Sequence, residues 1–192
     1  VPSAYDDDLW RLVPEDHGPP PSQLVAFVEG LAHVGSALDL GCGDGRLSAL
    51  LDADELTLAD VSDVALRRAG QRLPVADAIA LTPDAPLPLP DNAFDLVLCT
   101  ETIEHVRDVQ LLLSEARRVL RPGGRLAVST PAHSRLTGID VVARGFERRF
   151  APLSPHLRFL TRRSLRQLLD DLGFDPGPVR RRSGSLLAVA TR

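Results

Sequence analysis

The sequence predicts an α/β fold: a doubly wound, mostly parallel seven-stranded sheet with an antiparallel strand pair at its C-terminal end. Three observations lead there. Short apolar runs without polar alternation, "ALDL" and "FDLVLCT", read as strands buried on both faces. Segments with apolar residues three and four apart fall between such runs, and this alternation implies crossover helices and parallel strands. A glycine-dense stretch, "DLGCGDGR", follows the first run, where a chain leaving a buried strand must turn sharply.

The elements follow in order. The opening is acidic and proline-rich ("PEDHGPPPS"), and Ser22 can cap a helix that buries Leu24, Phe27, Val28 and Leu31. After "ALDL" and the glycine turn, "RLSALL" reads as a helix and "LTLAD" as a strand. "SDVALRRAGQRL" reads as a helix capped by Ser62. "DAIALT" and "FDLVLCT" are strands three and four. Residues 107–120 place Val109, Leu112, Leu113, Ala116, Val119 and Leu120 on one helical stripe, which "RPGG" ends. "RLAVST" is strand five, and the irregular, Arg-rich residues 131–160 are too long for an ordinary connection. Thr161 can cap a helix carrying Leu165, Leu168, Leu169 and Leu172, with Gly173 past its end. "VRRRSG" and "SLLAVAT" close the sheet. One domain is expected over 1–192, with a helical cover at 1–34, a ligand-binding core at 35–130, a lid at 131–160 and closing elements at 161–192.

Composition narrows the class. With 192 residues, 44% hydrophobic and 25% charged, the chain suits one globular core. No apolar run is long enough to span a bilayer and the start has no signal-peptide pattern, so a cytoplasmic location is expected. Cys42 and Cys99 fit neither a disulfide framework nor a zinc spacing, and read as small buried thiols. Residues 1–100 carry 5 Arg against 17 Asp and Glu, whereas residues 101–192 carry 17 Arg against 9. No basic run is interleaved with aromatics as single-strand binding needs, so an RNA partner is not expected. Arg180, Arg181 and Arg182 read as charges that protect an edge strand. Tyr5 and Trp10 could cover a pocket or pin the N-terminal segment to the core. Oligomeric state is left open.

In a sheet of this kind, ligands bind beyond the carboxyl ends of the strands, where the strand order reverses. Gly41, Gly43 and Gly45 let the backbone approach a ligand there. Asp60, at the next acidic strand end, can accept both hydroxyls of a ribose. A nucleoside ligand follows. Its character comes from the spacing G-x-G-x-G and from Asp39 and Asp44 around the turn. These disfavour the pyrophosphate of a G-x-G-x-x-G dinucleotide site and favour a cation such as a sulfonium.

At this point the chain resembles the class I S-adenosylmethionine-dependent methyltransferases of the broad small-molecule group, over about residues 38–174. "LDLGCGDGRL" is similar to the family's first motif, and Asp60 falls where its ribose-binding acid falls. "PDAPLPLPDNAFDLVLCTETIEHV", "EARRVLRPGGRLAVSTP" and "HLRFLTRRSLRQLLDDLGF" resemble its later signatures. The resemblance implies a Rossmann-like fold and S-adenosylmethionine as cofactor, leaving S-adenosylhomocysteine as product. It places Asp39, Gly41, Cys42 and Gly43 by the methionine end and Asp60 and Val61 by the ribose. Asp84 and Ala85 would flank the adenine, and Thr100 would lie near the sulfonium. The "DAPLPLP" link is a residue shorter than the family pattern, which bears on Asp84.

Glu101, Glu104 and His105 fall three and four apart after strand four, so a helix would place them on one face. The favoured reading is that they line the pocket. His105, with Glu101, is next a candidate acid–base group. The last reading is a divalent metal, completed by His133 or His156. The pattern E-x-x-E-H is similar to that of the ubiquinone-pathway O-methyltransferases and the small-RNA 2′-O-methyltransferases. The expected activity is methylation of an oxygen or nitrogen on a small molecule. Its alternatives are a metal-dependent RNA 2′-O-methyltransferase and a non-catalytic binding module.

Overall fold

The computed structural model describes residues 4–145 and 156–192. The sheet is built from β1 (Val34–Leu40), β2 (Ala53–Asp60), β3 (Asp77–Ala80), β4 (Phe94–Thr100), β5 (Leu120–Pro131), β6 (Asp175–Pro176), β7 (Arg180–Arg182) and β8 (Ser185–Thr191). Its spatial order is β3-β2-β1-β4-β5-β8-β6, with β7 also paired to β8. The first five strands are mutually parallel, and β8 pairs antiparallel with β5, β6 and β7. The predicted class therefore holds. The eighth strand is the two-residue β6, too short to carry a sequence pattern.

The helices are α1 (Ala4–Leu12), α2 (Ser22–Glu29), α3 (Asp63–Arg72), α4 (Val109–Val119), α5 (Arg135–Arg144) and α6 (Arg162–Asp171). Strand side chains alternate between the two faces, and the core divides accordingly. Leu38, Leu40, Val97, Cys99, Leu126 and Val128 pack on one face with Leu113 and Ala116 of α4 and Leu165 and Leu169 of α6. Ala37, Leu96, Leu98 and Ala127 point the other way, towards Val28 of α2. Leu58 joins Leu66 and Ala69 of α3 in a separate cluster.

Capping follows the sequence at two predicted places. The Ser62 hydroxyl accepts from the Ala65 amide at 3.2 Å, and Thr161 and Ser164 form a reciprocal capping box. Gly173, with φ +80°, lies just past α6. Ser22, by contrast, is the first helical residue of α2, and Pro21 takes the cap position without a side-chain bond.

Two expected elements differ. "RLSALL" forms only a 3-10 turn at Ser48–Leu50. The glycine turn runs to Gly45, and Ser48 is drawn back to Asp39 by a 2.5 Å hydrogen bond, so too few residues remain for an α-helix. Residues 131–160, expected to be irregular, include α5; the expectation for residues 146–155 lies outside the described residues. No helix among the described residues is long and apolar enough to cross a membrane.

Arg118 of α4 fixes the link between β3 and β4. Its guanidinium donates to the Leu87 and Leu89 carbonyls and pairs with Asp91 and Glu115, while Glu115 accepts from the Leu87 amide. Arg118→Ala strips these acceptors of their donor and should cost about 2 kcal/mol in urea unfolding. A loss below about 0.5 kcal/mol would show that the link holds its shape unaided.

Candidate functional site

The chain passes from β1 outward to β2 and β3, then returns to place β4 on the other side of β1. The carboxyl ends of β1 and β4 therefore flank a topological switch point. Gly41, Gly43 and Gly45 leave β1 with φ of +82°, +54° and +77°, a left-handed path that suits glycine. The Gly41 and Cys42 amides both donate to the Ala59 carbonyl, which holds the turn against β2.

Asp60 closes the turn from the other side. Buried at the end of β2, it accepts from the Gly43 amide and from the Ser62 amide, each at 2.9 Å. Burial raises its carboxyl above the ordinary value against the pull of those amides. Val61 follows, half-buried against the core. Asp39 is deeper: Ser48 donates to Oδ2, while Oδ1 is buried with no hydrogen-bond partner among the described residues. Burial pushes its carboxyl up to about 7. Cys42 and Cys99 are free and buried, and burial raises both thiols, so neither is a ready nucleophile.

Two side chains lie directly on the turn. A Cβ built on Gly41 would come within 2.5 Å of Thr102, and one on Gly43 within 2.8 Å of the Trp10 indole. Thr102 donates to the Thr100 carbonyl at 2.9 Å and so bridges the β4 end to the turn after β1. Trp10 arrives on α1, which buries none of its own residues and is held by polar contacts. Asp7 accepts from the Ser62 hydroxyl at 2.7 Å and the Val64 amide at 3.1 Å, at the N-terminus of α3. Arg68 stands 5.9 Å from the Trp10 ring centre and donates to the Val13 carbonyl. A 530 Å³ hollow opens beside this segment, lined by residues including Glu15, Arg46 and Arg72.

On the β4 side, Thr100 is buried at the strand end. The next residues do not form the helix turn expected of them. Glu101 has φ +49°, residues 102–108 are turns and irregular backbone, and α4 starts only at Val109, capped by Asp108. A left-handed residue cannot lie within an α-helix, so Glu101, Glu104 and His105 do not share a helix face. Glu101 instead accepts from the Ser129 hydroxyl at 2.8 Å, and burial raises its carboxyl. Glu104 turns inward, 1% exposed, and accepts from Thr130 at 3.0 Å through Oε2. Burial pushes Glu104 up to about 7. His105 is more exposed, with Nε2 at 3.8 Å from Glu104 Oε1.

The third member of the cluster comes from later in the chain. Leu157 donates its amide to the Glu104 carbonyl at 2.7 Å, and Arg158 donates to the Val106 and Arg107 carbonyls. This latch stands the His156 ring edge-on to His105, with centroids 4.8 Å apart. His133 packs edge-on to Phe159, outside that cluster. Asp84 sits in a loop with φ +54° beside half-buried Ala85, and pairs with Arg107 at 2.9 Å. That ion pair joins the loops after β3 and β4.

Known proteins are similar to this chain in sequence and in fold. A methyltransferase-domain family model matches residues 38–128, from β1 into β5. Malonyl-[acyl-carrier protein] O-methyltransferase of Methylococcus capsulatus is 34% identical over 180 residues, covering 85% of this chain and 64% of that protein. These matches support a place among the class I S-adenosylmethionine-dependent methyltransferases. 27-O-demethylrifamycin SV methyltransferase of Amycolatopsis mediterranei is 38% identical over 100 residues, 47% of this chain and 36% of that protein. The chain thus spans less than two thirds of the length of either relative. In fold it is similar to an S-adenosylmethionine-dependent methyltransferase from Mesorhizobium loti, with TM-score 0.67 and 22% identity over 93% of this chain and 100% of that one.

Three features of the candidate site carry no signal in the sequence. Thr102 carries no motif of its own, and only its place two residues past a strand end hints at its bridging role. Glu104 was named within the trio, but its bond to Thr130 depends on β5 lying beside β4. The Asp84–Arg107 pair joins two loops whose proximity only the strand order sets.

Asp39 supplies a pH dependence. Its unfolded pKa lies near 3.8 and its folded value near 7, so its contribution to stability is complete below about 3.8 and is lost as pH rises through about 7. Urea unfolding of Asp39→Asn against the native chain at pH 4, 5.5 and 7.5 should show the variant gaining on the native protein at each step. A constant difference across that window would mean that Asp39 ionises normally.

Proposed function

We propose that this chain transfers a methyl group from S-adenosylmethionine to an oxygen or nitrogen of a small organic acceptor. The observation that carries the reading is the Asp60 carboxylate, buried at the end of β2 and bonded to the Gly43 amide beside the switch point. Each of its oxygens accepts one amide hydrogen and keeps lone-pair capacity for a ribose hydroxyl.

The remaining residues fit the donor. Asp39 Oδ1, buried and lacking a partner among the described residues, suits the methionine ammonium, whose charge would favour the ionised carboxylate. Gly41, Cys42 and Gly43 offer a backbone surface, Val61 an apolar one. Asp84 and Ala85 take the adenine edge, and Thr100 the neighbourhood of the sulfonium. When bound, the donor supplies an electrophilic methyl: the acceptor–carbon bond forms as the carbon–sulfur bond breaks, leaving a neutral thioether. The protein's share is alignment and exclusion of water. Glu101 and His105 bound the acceptor side, where the acceptor proton leaves, with the His105 imidazole as the group that takes it. The O-methyltransferase named among the relatives supports an oxygen acceptor.

Residues 1–34 act as a cover in this reading, with Trp10 over the donor site, and residues 131–160 as the acceptor-side lid. The Trp10–Gly43 contact supports the cover, and the bonds of Leu157 and Arg158 to the 104–107 backbone support the lid.

Two measurements test this. Calorimetry with S-adenosylhomocysteine should give one site, weakened at least about 10-fold by Asp60→Ala, since a charged hydrogen-bond acceptor is worth roughly 1.5–3 kcal/mol. No binding, or equal binding by the variant, overturns the donor site. Trp10 is the single tryptophan, so the same titration should shift its emission. An unchanged spectrum at calorimetric saturation would separate α1 from the ligand.

A further inference from the structure

We infer that Glu104, His105 and His156 form a binding site for a divalent first-row transition cation of the zinc class on the acceptor side. The carboxylate and the two imidazoles each present one ligand atom, and those atoms lie within 4.8 Å of one another. Independent support comes from Glu104 itself. It is 1% exposed, yet its Oε1 has no hydrogen-bond partner among the described residues and stands 3.8 Å from His105 Nε2. An inward carboxylate oxygen of this kind is costly unless it meets a proton or a cation.

The surroundings are those of a prepared ligand set. Thr130 donates to Oε2 and fixes the carboxylate, as outer-shell donors do for metal ligands. His156 is held in place by the Leu157 and Arg158 bonds to the 104–107 backbone, so the third ligand is anchored to the same loop as the first two. Glu101 lies outside the set because its left-handed backbone turns it to Ser129. One oxygen and two imidazole nitrogens match zinc sites that keep an open position, whereas Mg²⁺ favours oxygen and water. Ligands at about 2.1 Å in tetrahedral array stand roughly 3.4 Å apart.

Binding of the cation is independent of the methyl-transfer reading; its use rests on that reading. As a Lewis acid beside the acceptor it would lower the pKa of a hydroxyl, in place of His105 acting as base. This favours alcohols, phenols or carboxyl groups as acceptors over amines.

The test uses the full chain, stripped with chelator and checked for fold by circular dichroism. Zn²⁺ is titrated against a chromophoric competitor, and Co²⁺ is followed by its visible absorption. One equivalent should bind with a tetrahedral-type Co²⁺ spectrum. His105→Ala and His156→Ala should each weaken it, and Thr130→Val by about 10–100-fold. His33→Ala should leave binding unchanged, since His33 sits with Asp52 and Asp54 at a separate exposed cluster. Absence of a one-equivalent site, or a site indifferent to both His105 and His156, overturns the inference. S-adenosylhomocysteine calorimetry on the stripped protein separates the two readings: Zn²⁺ binding without it removes only the donor site, and the reverse removes only the cation.

Discussion

One buried carboxylate ties the candidate site together. Asp60 holds the Gly43 amide with one oxygen and the Ser62 amide with the other, so the turn after β1 and the start of α3 share an anchor. From Ser62 the connection continues through its hydroxyl to Asp7, along α1 to Trp10, and back onto Gly43. The circuit is closed. Three of its links are hydrogen bonds and the fourth is the indole packed on Gly43, while α1 contributes no buried residue of its own. Moving the indole therefore strains one small ring of bonds and leaves the core untouched.

The acceptor side has a different construction. Its residues stand on irregular backbone after β4, and neighbouring elements impose the order. Ser129 and Thr130 of β5 hold the two glutamates, and the 156–158 segment holds the loop backbone. Glu104 is consequently both inward and poorly hydrated, which places its proton affinity close to neutrality. The two sides meet where Thr102 rests on Gly41, so a displacement at either strand end is felt by the other.

Most of the fold was legible because burial on both faces writes a plain signal. "FDLVLCT" is buried almost throughout, and the stripes of α4 and α6 match their packed residues. The failures share a cause. "RLSALL" has helical spacing, but Ser48 is captured by Asp39, a contact invisible in one dimension. The same holds for the Glu101, Glu104 and His105 trio: its spacing suits a helix, and a single left-handed residue cancels it. Asp60 could be placed because a strand end and an acid coincide. His156 could be named only alongside His133, because choosing between them means spanning about fifty residues and knowing the Arg158 latch.

The placement of β8 has a consequence for biosynthesis. Leu126 to Thr130 of β5 are fully buried, yet one side of that strand is covered only by residues 185–191. During translation the parallel half of the sheet emerges first, with an apolar margin open for as long as the next roughly sixty residues take to appear. At ribosomal speeds that is on the order of 3–12 s, a long interval for a bare strand to escape clustering with other nascent chains.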